Sequence, residues 1–116
     1  SKYATPLGSG EELLEARRRV PVTTEVVMVA YADWEAAKSP APAELVKLAR
    51  RVRYKAFLFD TFEKKGKTLL DHLTVEELGE MVSSLKRAGI AVALGGSLKV
   101  EQVKALKDLE PDWLAE

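Results

Sequence analysis

The stretch KAFLFDT, residues 55–61, decides the fold of this chain, because in it an apolar run ends in the carboxylate of Asp60. A nearly continuous apolar run of this length is typical of a strand in a parallel sheet covered on both faces. A lysine-rich loop that contains a glycine follows over residues 62–71. Ligands bind at the carboxyl ends of such strands. The stretch therefore predicts a central strand with a reactive edge, where Asp60 and Lys67 share one rim.

On both sides of this stretch, helical and extended patterns alternate along the chain. The strands are predicted at residues 25–31, 55–60, 90–94 and 113–115. The helices are predicted at residues 10–19, 39–52, 74–88 and 99–109. Ser9, Thr74 and Ser97 are the predicted N-cap residues, and Gly89 is the predicted residue after a helix end. Val100, Val103 and Leu106 are the predicted core face of the last helix.

This alternation predicts an α/β fold with helices that connect parallel strands through right-handed crossovers. Two architectures fit the pattern: a small doubly wound sheet, or half of a TIM (β/α)8 barrel. Half a barrel would leave its inner sheet face uncovered, so it would need a second copy or the other half of the barrel as a partner. We expect residues 1–116 to form one domain, with a loop or frayed end at residues 1–8.

Composition and charge exclude several classes of function. Eighteen basic residues balance 18 acidic ones, which argues against binding to nucleic acid or to a membrane surface. The chain has no cysteine and its one histidine is His72, so we expect no metal site and no disulfide. It contains no apolar run of about 20 residues, and we expect a cytoplasmic protein. The first residue is Ser1 rather than Met, which indicates a processed, tagged or cut chain.

The predicted strand ends collect the candidate functional residues. Parallel strands would bring Tyr31, Asp33, Asp60, Lys67 and the turn at 95–97 to one rim. That turn reads Gly95-Gly96-Ser97. Two glycines let a backbone approach an anion closely, and the following helix offers free N–H groups, so the turn is a candidate phosphate site. The same residues also suit an ordinary turn.

Each candidate side chain has more than one possible role. Lys67 could form a Schiff base, hold a phosphate as an ammonium ion, or lie in a solvated basic loop. Asp60 could act as a general acid or base, or could pair with Lys67. Tyr31 could donate a proton or pack at the edge of the core. We interpret His72 as a structural residue.

Several segments together resemble one enzyme family. They are residues 30–33 (AYAD), 58–61 (LFDT), 66–71 (GKTLLD) and 93–98 (ALGGSL). In these segments the chain resembles the C-terminal half of the (5-formylfuran-3-yl)methyl phosphate synthase family of methanofuran biosynthesis. Members of this TIM-barrel family occur in methanogens and in bacteria with methanopterin-linked one-carbon transfer. The resemblance extends over about residues 11–115.

The resemblance implies a lyase that joins two molecules of glyceraldehyde 3-phosphate, with loss of phosphate and water to form a furan. It implies an aldolase-like mechanism through a lysine Schiff base, without a cofactor. The residues carried over as catalytic are Tyr31, Asp33, Asp60 and Lys67. Gly95, Gly96 and Ser97 are carried over as the phosphate-binding loop, and the expected partner is a phosphorylated small molecule.

The chain also departs from the pattern of this family. The Schiff-base lysine and a second active-site lysine belong to the first half of the family barrel, and the arginine- and glycine-containing motif after the last strand is absent. Ala30 stands where a glycine is usual. We therefore expect the isolated chain to be inactive. The alternatives are another phosphosugar aldolase or epimerase-type barrel, or a self-associating half-barrel without activity.

Overall fold

A computed structural model describes residues 26–115, so the predicted helix at 10–19, its Ser9 cap and the terminal loop at 1–8 lie outside the described residues. Four strands form one parallel sheet, in the order in which they follow along the chain. The strands are β1 (Val27–Tyr31), β2 (Ala56–Asp60), β3 (Ala91–Leu94) and β4 (Trp113–Leu114). The α/β class with parallel strands is thereby confirmed. The order does not reverse within the described sheet, as it would in a doubly wound fold.

Five helices lie between these strands in the described part of the chain. They are α1 (Trp34–Ala37), α2 (Pro42–Val52), α3 (Leu69–His72), α4 (Val75–Arg87) and α5 (Val100–Lys107). Pro42 occupies the first turn of α2, where its missing N–H costs no hydrogen bond. Thr74 caps α4 through a hydrogen bond from the backbone N–H of Glu77, as predicted. Gly89 follows the end of α4 with a φ of 76°, also as predicted.

The core lies between the sheet and the helices. Alternate residues of the strands point towards the helices, and Phe57, Phe59 and Val92 are fully buried there. They pack in one cluster with apolar residues of the helices, which include Leu45, Leu78, Val82, Leu85 and Leu106. Because the helices cover this face along its length, the carboxyl ends of the strands are held at fixed positions at one edge of the sheet.

The opposite sheet face is less well covered. Leu58 and Ala93, which are paired in the register of β2 and β3, are only half-buried. Trp113 pairs with Ala93 from the neighbouring β4 and is 61% exposed. Parallel sheets are normally covered on both faces, so this face is an unusual feature of the part of the chain that the structure describes.

Three local predictions are wrong. Ser97 does not cap the last helix: it has a φ of 57°, in the left-handed region, whereas an N-cap residue is extended, and the helix begins later with Lys99 as its cap. Val100 is 55% exposed and does not belong to the core face of α5, although Leu106 does. The end of the loop predicted at 62–71 is the short helix α3, because Thr68 and Asp71 form a capping box.

Candidate functional site

The loop after β2, residues 61–68, forms the centre of the carboxyl edge. Its first part is fixed from the neighbouring strand by Asp33, which follows β1. One carboxylate oxygen of Asp33 accepts a hydrogen bond from the backbone N–H of Phe62 at 2.7 Å. The other accepts from the backbone N–H of Glu63 at 2.9 Å. Both oxygens of Asp33 therefore bind the loop, which makes this residue a connection between β1 and the loop after β2.

The charge of Asp33 is stabilised by these contacts. Partial burial acts to raise the pKa of the Asp33 carboxyl, but the backbone hydrogen bonds from Phe62, Glu63 and Asp33 itself outweigh it, with help from the charge of His72. The net result is a pKa below the ordinary value of 3.8. Asp33 is thus a carboxylate at neutral pH and holds the loop in its ionised form.

Asp60, at the end of β2, lies beside an ammonium group. The Nζ of Lys64 is 3.0 Å from Oδ1 of Asp60, and it also donates to the carbonyl oxygen of Thr61 at 2.6 Å and to the Thr61 hydroxyl at 3.1 Å. The three acceptors can engage all three N–H bonds of the lysine. The ammonium beside Asp60 thus belongs to Lys64, and not to Lys67, which is the partner that the sequence suggested for Asp60.

The spacing of Lys64 from Asp60 can be read from the sequence, but it does not predict their contact. Lys64 stands four residues after Asp60, and its partner Thr61 is the residue that follows the strand. The four-residue spacing has no fixed meaning outside a helix, because it brings the two side chains together only if the loop turns back over the strand end. The structure shows that the loop does turn back in this way.

The second part of the loop is fixed from the other side. The hydroxyl of Thr68 accepts a hydrogen bond from the Gln102 side chain in α5 at 2.9 Å. The backbone N–H of Leu69 donates to the carbonyl oxygen of Gly96 at 3.0 Å. The loop is therefore tied to β1 at its start and to the region after β3 at its end, and the exposed residues 64–67 lie between these ties.

Lys67 is one of these exposed residues and lies within electrostatic reach of Asp71. The backbone N–H of Thr68 donates to the Asp71 carboxylate at 2.6 Å and is the main cause that lowers the pKa of this carboxyl below its ordinary value. The charges of Lys67 and Lys99 act in the same direction. Two lysines from different loops therefore flank one carboxylate near the turn after β3.

The turn after β3 packs tightly against the loop. Gly96 has a φ of 102°, and a Cβ placed there would lie 3.1 Å from a methyl group of Thr61 and 3.2 Å from the Cβ of Leu69. Thr61 and Leu69 are almost completely buried, so neither has room to move away. The need for glycine at position 96 thus has a packing cause inside the protein, which is separate from any approach of a ligand.

The same turn presents free donors. Gly95 donates its backbone N–H to the carbonyl oxygen of Phe59 at 2.8 Å. Among the described residues, the next three backbone N–H groups, those of Gly96, Ser97 and Leu98, have no acceptor. Successive N–H groups in a turn with positive φ values can together suit an anion. Of the three residues, Ser97 is exposed, whereas Gly96 and Leu98 are buried.

Tyr31 lies beside Asp60 on the neighbouring strand, because the two residues are paired in the register of β1 and β2. Its ring contacts that of Phe62 edge to face, with the centroids 5.5 Å apart. Phe62 is 51% exposed. The edge therefore joins an aromatic pair, the Asp60–Lys64 pair and the free N–H groups of the turn. Among residues 26–115, no group of acidic residues and histidine is arranged to hold a metal ion.

Comparison with known proteins gives a family match over most of the chain. The family model described as 4-HFC-P synthase matches residues 5–115. Curated proteins named (5-formylfuran-3-yl)methyl phosphate synthase are similar to the chain. The protein from Methanopyrus kandleri is 37% identical over 97 residues, which is 84% of this chain and 41% of that protein.

Two further relatives with the same name have similar identity to the chain and match it over a similar length. The protein from Methanococcus maripaludis strain C6 is 32% identical over 110 residues, which is 95% of this chain and 47% of that protein. The protein from Methanobrevibacter smithii is 34% identical over 102 residues, which is 88% of this chain and 43% of that protein. The chain thus spans less than half the length of these relatives. In the described part of the chain, each helix is too short or too polar to cross a bilayer.

Proposed function

Because the chain belongs to the 4-HFC-P synthase family, we propose that it supplies part of the active site of a lyase in methanofuran biosynthesis. In the proposed reaction, two molecules of glyceraldehyde 3-phosphate condense to (5-formylfuran-3-yl)methyl phosphate, with loss of phosphate and water. The observation that carries the proposal is the carboxyl edge of the sheet. There a carboxylate–ammonium pair lies beside three N–H groups that have no acceptor among the described residues. The edge suits an acid–base step beside a bound phosphate.

In this proposal the turn after β3 binds a substrate phosphate. The N–H groups of Gly96, Ser97 and Leu98 would donate to the phosphate oxygens, and Lys67 and Lys99 would add positive charge nearby. The nearby Asp71 is negatively charged, but its carboxylate is already hydrogen-bonded to the backbone of Thr68. The two lysines would then have to offset the negative charges of Asp71 and of Asp60, whose Oδ1 lies 3.7 Å from a Cβ placed at Gly95.

Asp60 is the proposed acid–base residue, and Lys64 is the residue proposed to hold it in place. The three N–H bonds of the Lys64 ammonium are engaged by Asp60 and Thr61, so Lys64 suits the orientation of the Asp60 carboxylate better than nucleophilic attack on a substrate. Asp60 uses Oδ1 for Lys64 and for the backbone N–H of Thr61, so its second oxygen has no partner among the described residues. That oxygen is available to accept a proton from a substrate carbon or hydroxyl group.

We further propose that the Schiff-base lysine lies outside this chain, in the part of the barrel that the relatives have in addition. The four strands in sequence order, with helices on one face, are what half of an eight-stranded barrel would require. The half-exposed face of Leu58, Ala93 and Trp113 would then point to the interior of the complete barrel. The isolated chain is accordingly a binding half without full activity.

The test is a titration of the labelled chain with inorganic phosphate and with glyceraldehyde 3-phosphate, followed by amide NMR. We expect the signals of Gly96, Ser97 and Leu98 to shift at millimolar ligand. The variant Lys99→Met should weaken the binding about two- to fivefold, because one nearby charge at the surface is lost. The matched control is Lys107→Met, which removes an exposed lysine at the far end of the same helix. Unchanged signals at all three amides would refute the phosphate site.

Borohydride trapping with glyceraldehyde 3-phosphate tests the division of roles. We expect mass spectrometry to find no lysine adduct on this chain, and an adduct on the full-length relative from Methanopyrus kandleri. An adduct at Lys67 of this chain would instead make that residue the nucleophile. The absence of an adduct on either protein would contradict the Schiff-base mechanism.

A further inference from the structure

Asp33 lies where its side chain can hold the loop after β2 in position, rather than react with a substrate. Both of its carboxylate oxygens are engaged by the backbone of the loop after β2. We propose that Asp33 is a positioning residue, whose two hydrogen bonds to Phe62 and Glu63 place Lys64 over Asp60. The inference rests on the proposed function for its catalytic meaning, while the geometry that it asserts can be tested on the free chain.

The first step of the argument is the short path from Asp33 to Lys64. Glu63, whose N–H binds Asp33 at 2.9 Å, is the residue directly before Lys64. Two hydrogen bonds at consecutive residues fix the direction of the chain, since together they define both the place and the rotation of the peptide plane between them. The chain therefore runs from Glu63 to Lys64 in one defined direction relative to the Asp33 carboxylate.

The second step is that the hydrogen bonds of the Lys64 ammonium depend on this direction of the backbone. Its ammonium meets three oxygens of Asp60 and Thr61, all at the end of β2. Lys64 is itself exposed, with 55% of its side chain accessible to solvent. Fixing an exposed lysine in one geometry costs side-chain entropy. Lys64 therefore remains over the strand end only if its backbone is held close to these acceptors.

The third step is that other described contacts do not replace the Asp33 carboxylate in the first part of the loop. The ring of Phe62 touches Tyr31, but it is about half exposed and contacts it edge to face. The ties at Thr68 and Leu69 lie beyond Gly66, whose φ of 80° and open surroundings mark a turn between the two parts. The carboxylate of Asp33 thus carries the position of residues 62–64.

The variant Asp33→Asn tests the proposal, because it keeps the shape of the side chain and puts an NH₂ group where one oxygen was. One of the two backbone donors then faces another donor. We expect hydrogen exchange at Phe62 and Glu63 to accelerate about tenfold or more, since hydrogen bonds to a charged group are lost. We also expect the side-chain NMR signals of Lys64 to move towards those in Asp60→Asn, in which its carboxylate partner is absent.

The matched control is Asp112→Asn. Asp112 accepts a hydrogen bond from the backbone N–H of Val92 at 2.7 Å and ties β4 to β3, so it makes the same kind of contact at a different place. We expect this control to destabilise the fold without moving the Lys64 signals. A second control, Phe62→Leu, removes the aromatic contact and keeps the backbone donor, and it should also leave Lys64 in place.

The proposal is overturned if Asp33→Asn folds and leaves the Lys64 signals unchanged, or if Phe62→Leu moves them as much. If Asp33→Asn does not fold, the same measurement is made on Asp33→Glu, which keeps the charge but places the carboxylate one methylene further out. Unchanged Lys64 signals in that variant overturn it too. None of these readouts uses substrate, so they remain separate from a failure of the proposed phosphate site or of the lyase reaction.

Discussion

At the scale of single residues, Gly96 shows how a functional pattern can have a structural cause. Its positive φ and its contact with Thr61 and Leu69 both exclude a side chain. Its carbonyl oxygen accepts a hydrogen bond from the backbone N–H of Leu69, while its own N–H has no acceptor among residues 26–115. One residue therefore fixes the turn against the neighbouring loop through its carbonyl oxygen and leaves its N–H for a further acceptor.

We predict that Gly96→Ala destabilises the chain by about 2–4 kcal/mol, from an unfavourable φ and from overpacking against buried neighbours. The matched control is Gly66→Ala, which has a φ of 80° and nothing within 4 Å of the added carbon. It should cost only about 1–2 kcal/mol, from the backbone alone. Urea unfolding measures both, and equal losses would show that the close packing at Gly96 contributes nothing.

Asp71 predicts a pH dependence of stability. Its pKa is lowered in the folded chain, mainly by the hydrogen bond from Thr68, so its contribution is fully present above the ordinary value of 3.8 and is lost as the pH falls through the lower, folded value. We expect Asp71→Asn to be less stable than the parent chain at pH 6, and this difference to shrink as the pH falls below 3.8. Thermal unfolding across this range is the measurement.

The control for this prediction is Asp108→Asn, at the exposed end of α5. This carboxylate has no hydrogen-bond partner among the described residues, so the change should not reproduce the pattern of Asp71→Asn. A difference between parent and Asp71→Asn that stays constant down to pH 2 would contradict the prediction.

At the scale of elements, α4 begins where a side chain satisfies one of the first free N–H groups of the helix. The hydroxyl of Thr74 accepts from Glu77, and the Glu77 carboxylate accepts from the backbone N–H of Thr74. This reciprocal pair starts α4, which packs Leu78, Val82 and Leu85 against the sheet. The placement of β3 and of the turn after it depends on this helix.

We predict that Thr74→Ala lowers the free energy of unfolding by about 1 kcal/mol, because one helix cap is lost. Thr74→Ser keeps the hydroxyl and should retain most of the stability, so it is the matched control. Chemical denaturation separates the two. If the serine variant loses as much as the alanine variant, the threonine methyl group and not the cap is what matters.

At the scale of the whole molecule, the sheet face that contains Trp113 is the less well covered of the two faces in the described structure. We predict that this chain forms a one-to-one complex with a polypeptide made from the part of the Methanopyrus kandleri relative that lies outside the match. Burial of Trp113 should then shift its fluorescence to shorter wavelength. The variant Trp34→Phe removes the signal of the other tryptophan, and light scattering gives the mass of the complex.

The control for this prediction is a comparison of two exposed apolar residues. Trp113→Gln should weaken the complex, whereas Val100→Gln, on the helix side, should not. If the chain instead forms a stable dimer with itself and excludes the added polypeptide, the face serves self-association and the half-barrel proposal for the parent enzyme loses its support.

Much of the fold could be predicted from local patterns in the chain. The apolar runs around Phe57 and Val92 predicted strands, and the caps at Thr74 and Gly89 predicted the bounds of α4, because these signals act between residues that are close in sequence. The predicted N-cap at Ser97 was wrong because the backbone conformation there goes with packing between residues that are distant in sequence. A serine is a good cap only if its backbone is extended, and packing of the preceding glycine against Thr61 and Leu69 accompanies a left-handed conformation instead.

The sequence by itself determined the α/β class, the parallel strands and the rim on which Asp33, Asp60 and the turn after β3 gather, since apolar periodicity is a local property and the alternation of short helices and strands favours parallel pairing. Only the tertiary structure decided which lysine meets Asp60, that both oxygens of Asp33 bind a loop 29 and 30 residues away, and that Gly96 is held by packing. These contacts depend on the path of a loop in space. That path is determined by hydrogen bonds between distant residues, which no local pattern encodes.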